Sequence, residues 1–347
     1  MPSYLQWAVA TLSLAAQCTA QTYTNCNPTK KTCSPDTGLS TYSLSSDFTS
    51  GDSAFKHWNV TAGSVTSTSL GAEFVINEQG DAPTLESEFY IFFGYVEFKM
   101  RASNGTGIVS TVLLESDDLD EIDWEQVSTF DNEIQTNYFG KGNTTSYDRA
   151  TTVSVSTPEE TFHTYAINWT SSATEWLIDG SVVRTLNYAD AVGGSNYPQT
   201  PMRIRLGIWA GGDPDNSEGT IEWAGGETDY TAAPFKMYVE SVKVINYNPA
   251  DEYTYTNKSG SWESIKASNT TGSSSSSSSG STSKTSSKAA SNSSVAASAS
   301  ASASASASAS AAASSSAAAV YKGGAAASAT PLFMGILAAV VTGILYI

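Results

Sequence analysis

Apolar and polar side chains alternate with period two in repeated short runs, and that period restricts the fold to β-sheet. Tyr95-Val96-Glu97-Phe98-Lys99-Met100-Arg101 alternates in this way, as does Lys236-Met237-Tyr238-Val239-Glu240-Ser241-Val242. A strand with this pattern presents one set of side chains to each face. Glu175-Trp176-Leu177-Ile178 and Ser181-Val182-Val183-Arg184 flank Asp179-Gly180, a pair suited to a tight hairpin turn because its glycine accepts positive φ. No long stretch shows helical periodicity. Many short strands over residues 21–266 predict one large all-β domain, a jelly-roll β-sandwich.

Outside those residues the composition changes. Leu5 to Ala16 is a short apolar run followed by Cys18-Thr19-Ala20, so residues 1–20 read as a cleaved secretory signal, although no Lys or Arg precedes the run. Beyond Lys266 come the serine run Ser273 to Ser279 and Ala-Ser alternation from Ala296 to Ala319. Without large apolar residues this stretch has no means of building a core, so residues 267–322 read as a flexible stalk. Residues 323–347 combine small residues, a spacer and the apolar tail Pro331 to Ile347. That is the pattern of a glycosylphosphatidylinositol signal, with Gly323 or Gly324 as attachment point. A single-pass tail anchor is the alternative. The two ends together predict an extracellular chain held to the plasma membrane or cell wall by lipid.

The net charge of −17 argues against a nucleic-acid partner, which needs a basic footprint. Cys26 and Cys33 remain after signal removal and are expected to pair in an oxidising compartment. The two histidines, His57 and His163, form no metal pattern. Sequons begin at Asn59, Asn104, Asn143, Asn168, Asn257, Asn269 and Asn292, which suits a glycosylated exterior protein. The chain is expected to act as a monomer.

The chemistry concentrates in Asp120-Glu121-Ile122-Asp123-Trp124-Glu125. Read as a strand, Glu121, Asp123 and Glu125 share one face while Ile122 and Trp124 share the other. The apolar face can enter the sandwich core, and the acidic face must then line a wet cleft. Same-face neighbours lie only roughly 7 Å apart. Repulsion among them raises at least one pKa. Glycosidic cleavage requires that state, with one carboxylate ionised and one protonated. Glu121 and Glu125 are about 13 Å apart at Cα in a flat strand, so inward-leaning side chains permit the roughly 5 Å separation of a retaining enzyme without proving it. A solvated acidic face and a calcium site are the competing readings. The EF-hand pattern fails because Ile122 stands where an oxygen ligand is needed and no glycine follows. No cofactor is expected; a calcium site of another kind stays open.

Glu121-x-Asp123-x-Glu125 resembles the catalytic strand of glycoside hydrolase family 16. Gln135-Thr136-Asn137-Tyr138 looks like the following strand in that family's transglycosylases, and Trp169 and the Trp176 to Arg184 hairpin fit as well. Ile208-Trp209-Ala210-Gly211-Gly212-Asp213-Pro214-Asp215-Asn216, with Gly219-Thr220-Ile221-Glu222-Trp223-Ala224-Gly225-Gly226, resembles the fungal Crh-type chitin–glucan transglycosylases. The resemblance covers residues 21–266. It implies a concanavalin A-like jelly roll with a concave substrate cleft. It implies Glu121 as nucleophile, Glu125 as general acid and then base, and Asp123 as the residue orienting Glu121. The implied reaction cleaves a chitin donor and transfers it to a β-glucan acceptor. Some relatives carry a cysteine-rich chitin-binding module near the N-terminus; with only Cys26 and Cys33 this chain has none.

Position and residue type nominate the sugar-binding side chains. Arg203, Arg205, Gly207 and Trp209 share one strand face, so Trp209 is the expected sugar platform with Arg205 and Thr220 beside it. Gln135 and Asn137 share parity on the neighbouring strand. Trp124, Trp169 and Trp176 are expected in the core. Two other functions stay open at this point: a β-glucan or chitin hydrolase of the same fold, and a wall-binding lectin without turnover.

Overall fold

The computed structural model describes residues 24–146 and 148–269. The signal segment, the stalk beyond Asn269, Asn292 and the anchor region with Gly323 and Gly324 lie outside the described residues.

In chain order the strands are β1 (Asp36–Thr37), β2 (Ser43–Asp47), β3 (Trp58–Ala62), β4 (Val65–Thr68), β5 (Gly71–Ile76), β6 (Thr84–Ser87), β7 (Gly94–Arg101), β8 (Ile108–Ser116) and β9 (Glu121–Val127). They continue with β10 (Glu133–Phe139), β11 (Thr151–Ser154), β12 (His163–Trp169), β13 (Ala173–Ile178), β14 (Ser181–Asn187), β15 (Met202–Ala210), β16 (Phe235–Asn246), β17 (Glu252–Tyr255) and β18 (Ile265–Ser268). One helix of α geometry, α1 (Glu218–Trp223), follows β15. A seven-stranded sheet has the order β11-β10-β9-β8-β15-β6-β3, and an eight-stranded sheet has the order β14-β13-β12-β7-β16-β5-β4 with β2 added along β16. A small third sheet runs β1-β17-β18. All pairings between these strands are antiparallel. The predicted sandwich is therefore present, and the small third sheet ends with β18 at Ser268.

The alternation behaves as its period requires. Along β7 every second residue is buried, with Val96, Phe98 and Met100 inside. Asp179 and Gly180 turn between β13 and β14 with φ of 49° and 78°, the primed-turn geometry that matches strand twist. The Cys26–Cys33 disulfide is formed. His163 bonds the Asp179 carboxylate and the Ser156 carbonyl, a structural role.

Three tryptophans stitch the layers together, each fully buried as expected: Trp124, Trp169 and Trp176. Buried indoles need an acceptor for the ring N–H. Trp124 donates to the Ala166 carbonyl at 3.3 Å and Trp169 to the Pro198 carbonyl at 2.9 Å. Trp176 donates to the Asp123 carbonyl at 3.1 Å, so the eight-stranded sheet braces the acidic strand directly.

The entry to β9 is held by Asp120, which is wholly buried. Its carboxylate accepts from Lys141 N at 2.9 Å, Gln199 N at 2.8 Å and Thr200 Oγ1 at 2.9 Å. Three donors fix the start of the strand and thus its register. Truncating Trp124 to alanine should remove both a core ring and an inter-sheet bond. Equilibrium urea unfolding is expected to show a loss of about 3–5 kcal/mol.

Candidate active site

Register, not sequence distance, assembles the site. Directly opposite Glu121 stand Glu115 on β8 and Phe139 on β10. Asp123 stands between Leu113 and Asn137, and Glu125 between Thr111 and Gln135. One strand further, Arg203 faces Glu115, Arg205 faces Leu113, Gly207 faces Thr111 and Trp209 faces Val109. Residues opposite one another in an antiparallel pair share a face. All the nominated strand residues therefore lie on the side of the seven-stranded sheet away from the core. Ile122 and Trp124 point the other way into it.

The acidic face is much drier than the sequence suggests. Glu121 is 5% exposed and Asp123 only 1%, while Glu125 is half-buried. Side chains from β8 and β10 close in on both sides, which a single strand's pattern does not reveal. Glu121 Oε2 and both Asp123 oxygens lack a hydrogen-bond donor of ordinary geometry. A buried carboxylate without donors resists ionisation.

The proton affinities follow from that environment. Burial pushes the Glu121 carboxyl well above the usual range, and the charges of Asp123, Glu115 and Glu125 push it further. Burial likewise raises Asp123, opposed by bonding from the Glu121 carboxyl and by the Arg184 charge. Glu125 is raised to about 8, chiefly by burial and then by the Asp123 charge, with the Thr111 hydroxyl opposing. Glu121 and Asp123 satisfy one another only when a proton lies between them. The three groups titrate as a coupled set in which full ionisation is strongly disfavoured near neutrality. A protonated carboxyl beside an ionised one is the state glycosidic cleavage uses.

The structure sorts the nominated binding residues. Trp209 is half-buried and its indole donates to Thr111 Oγ1 at 3.3 Å. Gln135 Oε1 accepts from the Trp223 indole at 3.0 Å. Asn137 sits opposite Asp123, and its Oδ1 accepts from Tyr138 N. Arg205 shares the strand face of Trp209, and its guanidinium is bonded to Glu115 and pairs with Glu86. Thr220 lies on α1, the helix that carries Trp223, and bonds the N-cap Ser217 at 2.8 Å.

The residue that accompanies Trp209 is Trp223. Their rings stack at 5.8 Å with 16° between planes. Period-two reasoning had no means of finding it, since a six-residue helix turns Trp223 toward β15. The Ser217 cap ahead of Glu218 was the local signal. Glu115 was missed as well, because only the register places it against Glu121. Among the described residues, no group of three or more His, Cys, Asp or Glu side chains is arranged to hold a metal.

A jelly-roll sandwich bearing three coupled carboxyls on alternate residues of one strand, with an aromatic pair at the flank, defines an enzyme acting on glycosidic bonds. Known proteins agree. A family model described as Glycosyl hydrolases family 16 matches residues 52–225. Crh-like protein 1 of Aspergillus fumigatus is 62% identical over 266 residues, 77% of this chain and 72% of that protein. Crh-like protein 5 of the same organism is 58% identical over 264 residues, 76% of this chain and 67% of that protein. The solved structure of a Crh5 transglycosylase in complex with NAG superposes with a TM-score of 0.68 at 59% identity, covering 70% of this chain and 99% of that one. The chain belongs to glycosyl hydrolases family 16, among its Crh-like members.

The raised carboxyls have a measurable cost. Each binds its proton more tightly folded than unfolded. The stability each permits is fully present below the unfolded value of about 4.3 and is lost as pH rises through the folded value. Replacing Glu121 or Glu125 by glutamine removes that loss. Melting temperatures near pH 8 are expected to rise by about 2–4 °C per variant, with little gain at pH 4.

Proposed function

We propose that this protein is a cell-wall transglycosylase that cuts chitin with retention and transfers it to β-glucan. The observation that carries the reading is the buried Glu121-Asp123-Glu125 face in a chain so similar to a Crh5 transglycosylase. In the first step the Glu121 carboxylate attacks the anomeric carbon. The bond to the leaving oxygen breaks, and Glu125 supplies that oxygen with a proton. A glycosyl ester on Glu121 and a shortened chitin chain result. In the second step Glu125 takes the proton of an acceptor hydroxyl, whose oxygen attacks the same carbon and releases Glu121. Asp123 orients Glu121 and shares its proton.

Hydrolysis differs only in that water resolves the ester. Dryness around Glu121 favours a sugar hydroxyl, because that acceptor brings binding contacts that water lacks. The Trp209 and Trp223 rings supply an apolar surface on which a sugar ring can stack. Gln135, Asn137 and the cleft they line supply hydroxyl partners.

The setting we infer is the exterior of a fungal cell, with a lipid anchor, a Ser/Ala-rich stalk sequence and a monomeric catalytic domain. Asn59, Asn104, Asn257 and Asn269 are exposed and accessible to glycan. Asn168 Nδ2 instead bonds Glu175, and its Oδ1 accepts from Tyr247. Asn143 Nδ2 bonds Asn196. At those two sequons the nitrogen that would carry the glycan already makes an internal bond.

The test is product analysis. Chitin oligomers incubated with a labelled β-glucan oligomer are expected to yield labelled hybrids by mass spectrometry. Shortened chitin without hybrids would mean hydrolysis alone. Glu121→Gln is expected to abolish both products while the protein still binds chitin oligomers; undiminished turnover would remove Glu121 from the nucleophile role.

A further inference from the structure

We propose that Glu115 is a positioning residue that holds the Arg205 guanidinium away from Glu121 and so keeps the nucleophile free to react. The inference rests on the assignment of Glu121 as nucleophile.

The arrangement begins with register. Glu115 on β8 is the direct partner of Glu121 on β9 and of Arg203 on β15, so it stands between the catalytic strand and the arginine-bearing strand. Arg205 lies two strand spacings, roughly 10 Å, from β9. Extended arginine and glutamate side chains span that gap. Arg205 nevertheless bonds Glu115 through Nη1 and reaches Glu86 at 3.3 Å through Nε. Glu86 is its register partner on the far side. Arg203 is held in the same way by Glu86, Asp117 and the Tyr90 ring. Two arginines thus sit beside the catalytic face, each bound to carboxylates other than the nucleophile.

Apart from the proton it shares with Asp123, the buried Glu121 Oε2 has no donor. An arginine fork is the natural partner for such a group. A bidentate ion pair would be strong in this dry setting and would tie up the oxygen that must attack. Glu115 is 6% exposed and lies nearer to Arg205, so it takes the guanidinium first. It also places a negative charge beside Glu121.

Charged groups from three strands act on Glu121. Along its own strand they are Asp123 and Glu125; β8 contributes Glu115, and β15 contributes Arg205. Its partner on β10 is the uncharged Phe139, and Arg184 on β14 acts on Asp123. Removing the Glu115 charge leaves Arg205, whose charge already interacts with Glu121, with one binding partner fewer.

The experiment compares Glu115→Gln, Glu115→Asp and the double variant Glu115→Gln/Arg205→Gln in the full chain. Rates are followed on chitin oligomers across pH. Glu115→Gln is expected to lower plateau kcat about tenfold and to move the acid limb of kcat/KM down by about one pH unit, as a carboxylate paired with arginine does. Glu115→Asp keeps the charge and should hold the limb near its original place. The double variant removes the competing cation and should recover most of the lost kcat. Melting temperatures of all three separate a folding loss from a kinetic one. An unmoved limb in Glu115→Gln, or a double variant no faster than the single, would overturn the inference. Glu121→Gln, run alongside, tests the nucleophile assignment by itself.

Discussion

One strand has to satisfy two incompatible solvents, and the rest of the structure answers to that constraint. β9 drives Ile122 and Trp124 into the sandwich core and, by the same alternation, brings Glu121, Asp123 and Glu125 together on the other side. Core burial fixes the strand, so the carboxyls cannot separate to relieve their repulsion. The fold counters with fixed points around them. Asp120 locks the entry, the Trp176 indole holds the Asp123 carbonyl, and neighbouring strands wall off water. The strain remains in the proton affinities, where the chemistry uses it.

Much of this was legible from residues alone. Period two gave the class of fold, the Asp179-Gly180 hairpin and the division of β9 into an apolar and an acidic face. Those features depend on neighbours along the chain, which a sequence displays directly. The degree of burial of the acids was not legible, because it depends on Glu115, Leu113, Asn137 and Phe139 from strands aligned by register. Arg205 shows the same limit. Its position beside Trp209 on one face was correct, yet its partners come from β6 and β8. Trp223 shows another: a short helix inside a strand-rich segment brings a residue of the motif onto the Trp209 platform that period-two reading does not place there.

Charge on the site face is arranged in pairs with one exception. Arg203 and Arg205 are matched to Glu86, Asp117 and Glu115, whereas the three residues of β9 have no direct cationic partner. Arg184 is the nearest source of relief, and its own fork is spent on the carbonyls of Thr136 and Arg149. An electrostatic field that is balanced except at the reacting groups is a form of preorganisation.

The aromatic pair is assembled from two kinds of chain. Trp209 belongs to a central strand of the sheet, while Trp223 rides on a short capped helix in the connection after it. The connection is tied to the sheet by Thr129 Oγ1 to the Ala224 carbonyl at 2.7 Å, Asn216 Nδ2 to the Ala210 carbonyl at 2.9 Å and the Trp223 indole to Gln135 at 3.0 Å. Part of the grip, Trp223, therefore resides on a connection separate from the catalytic strand. Descendants of such a chain are free to redraw the 211–226 connection and acquire a taste for another polysaccharide, while the acidic strand and its core passes unchanged from one specialist to the next.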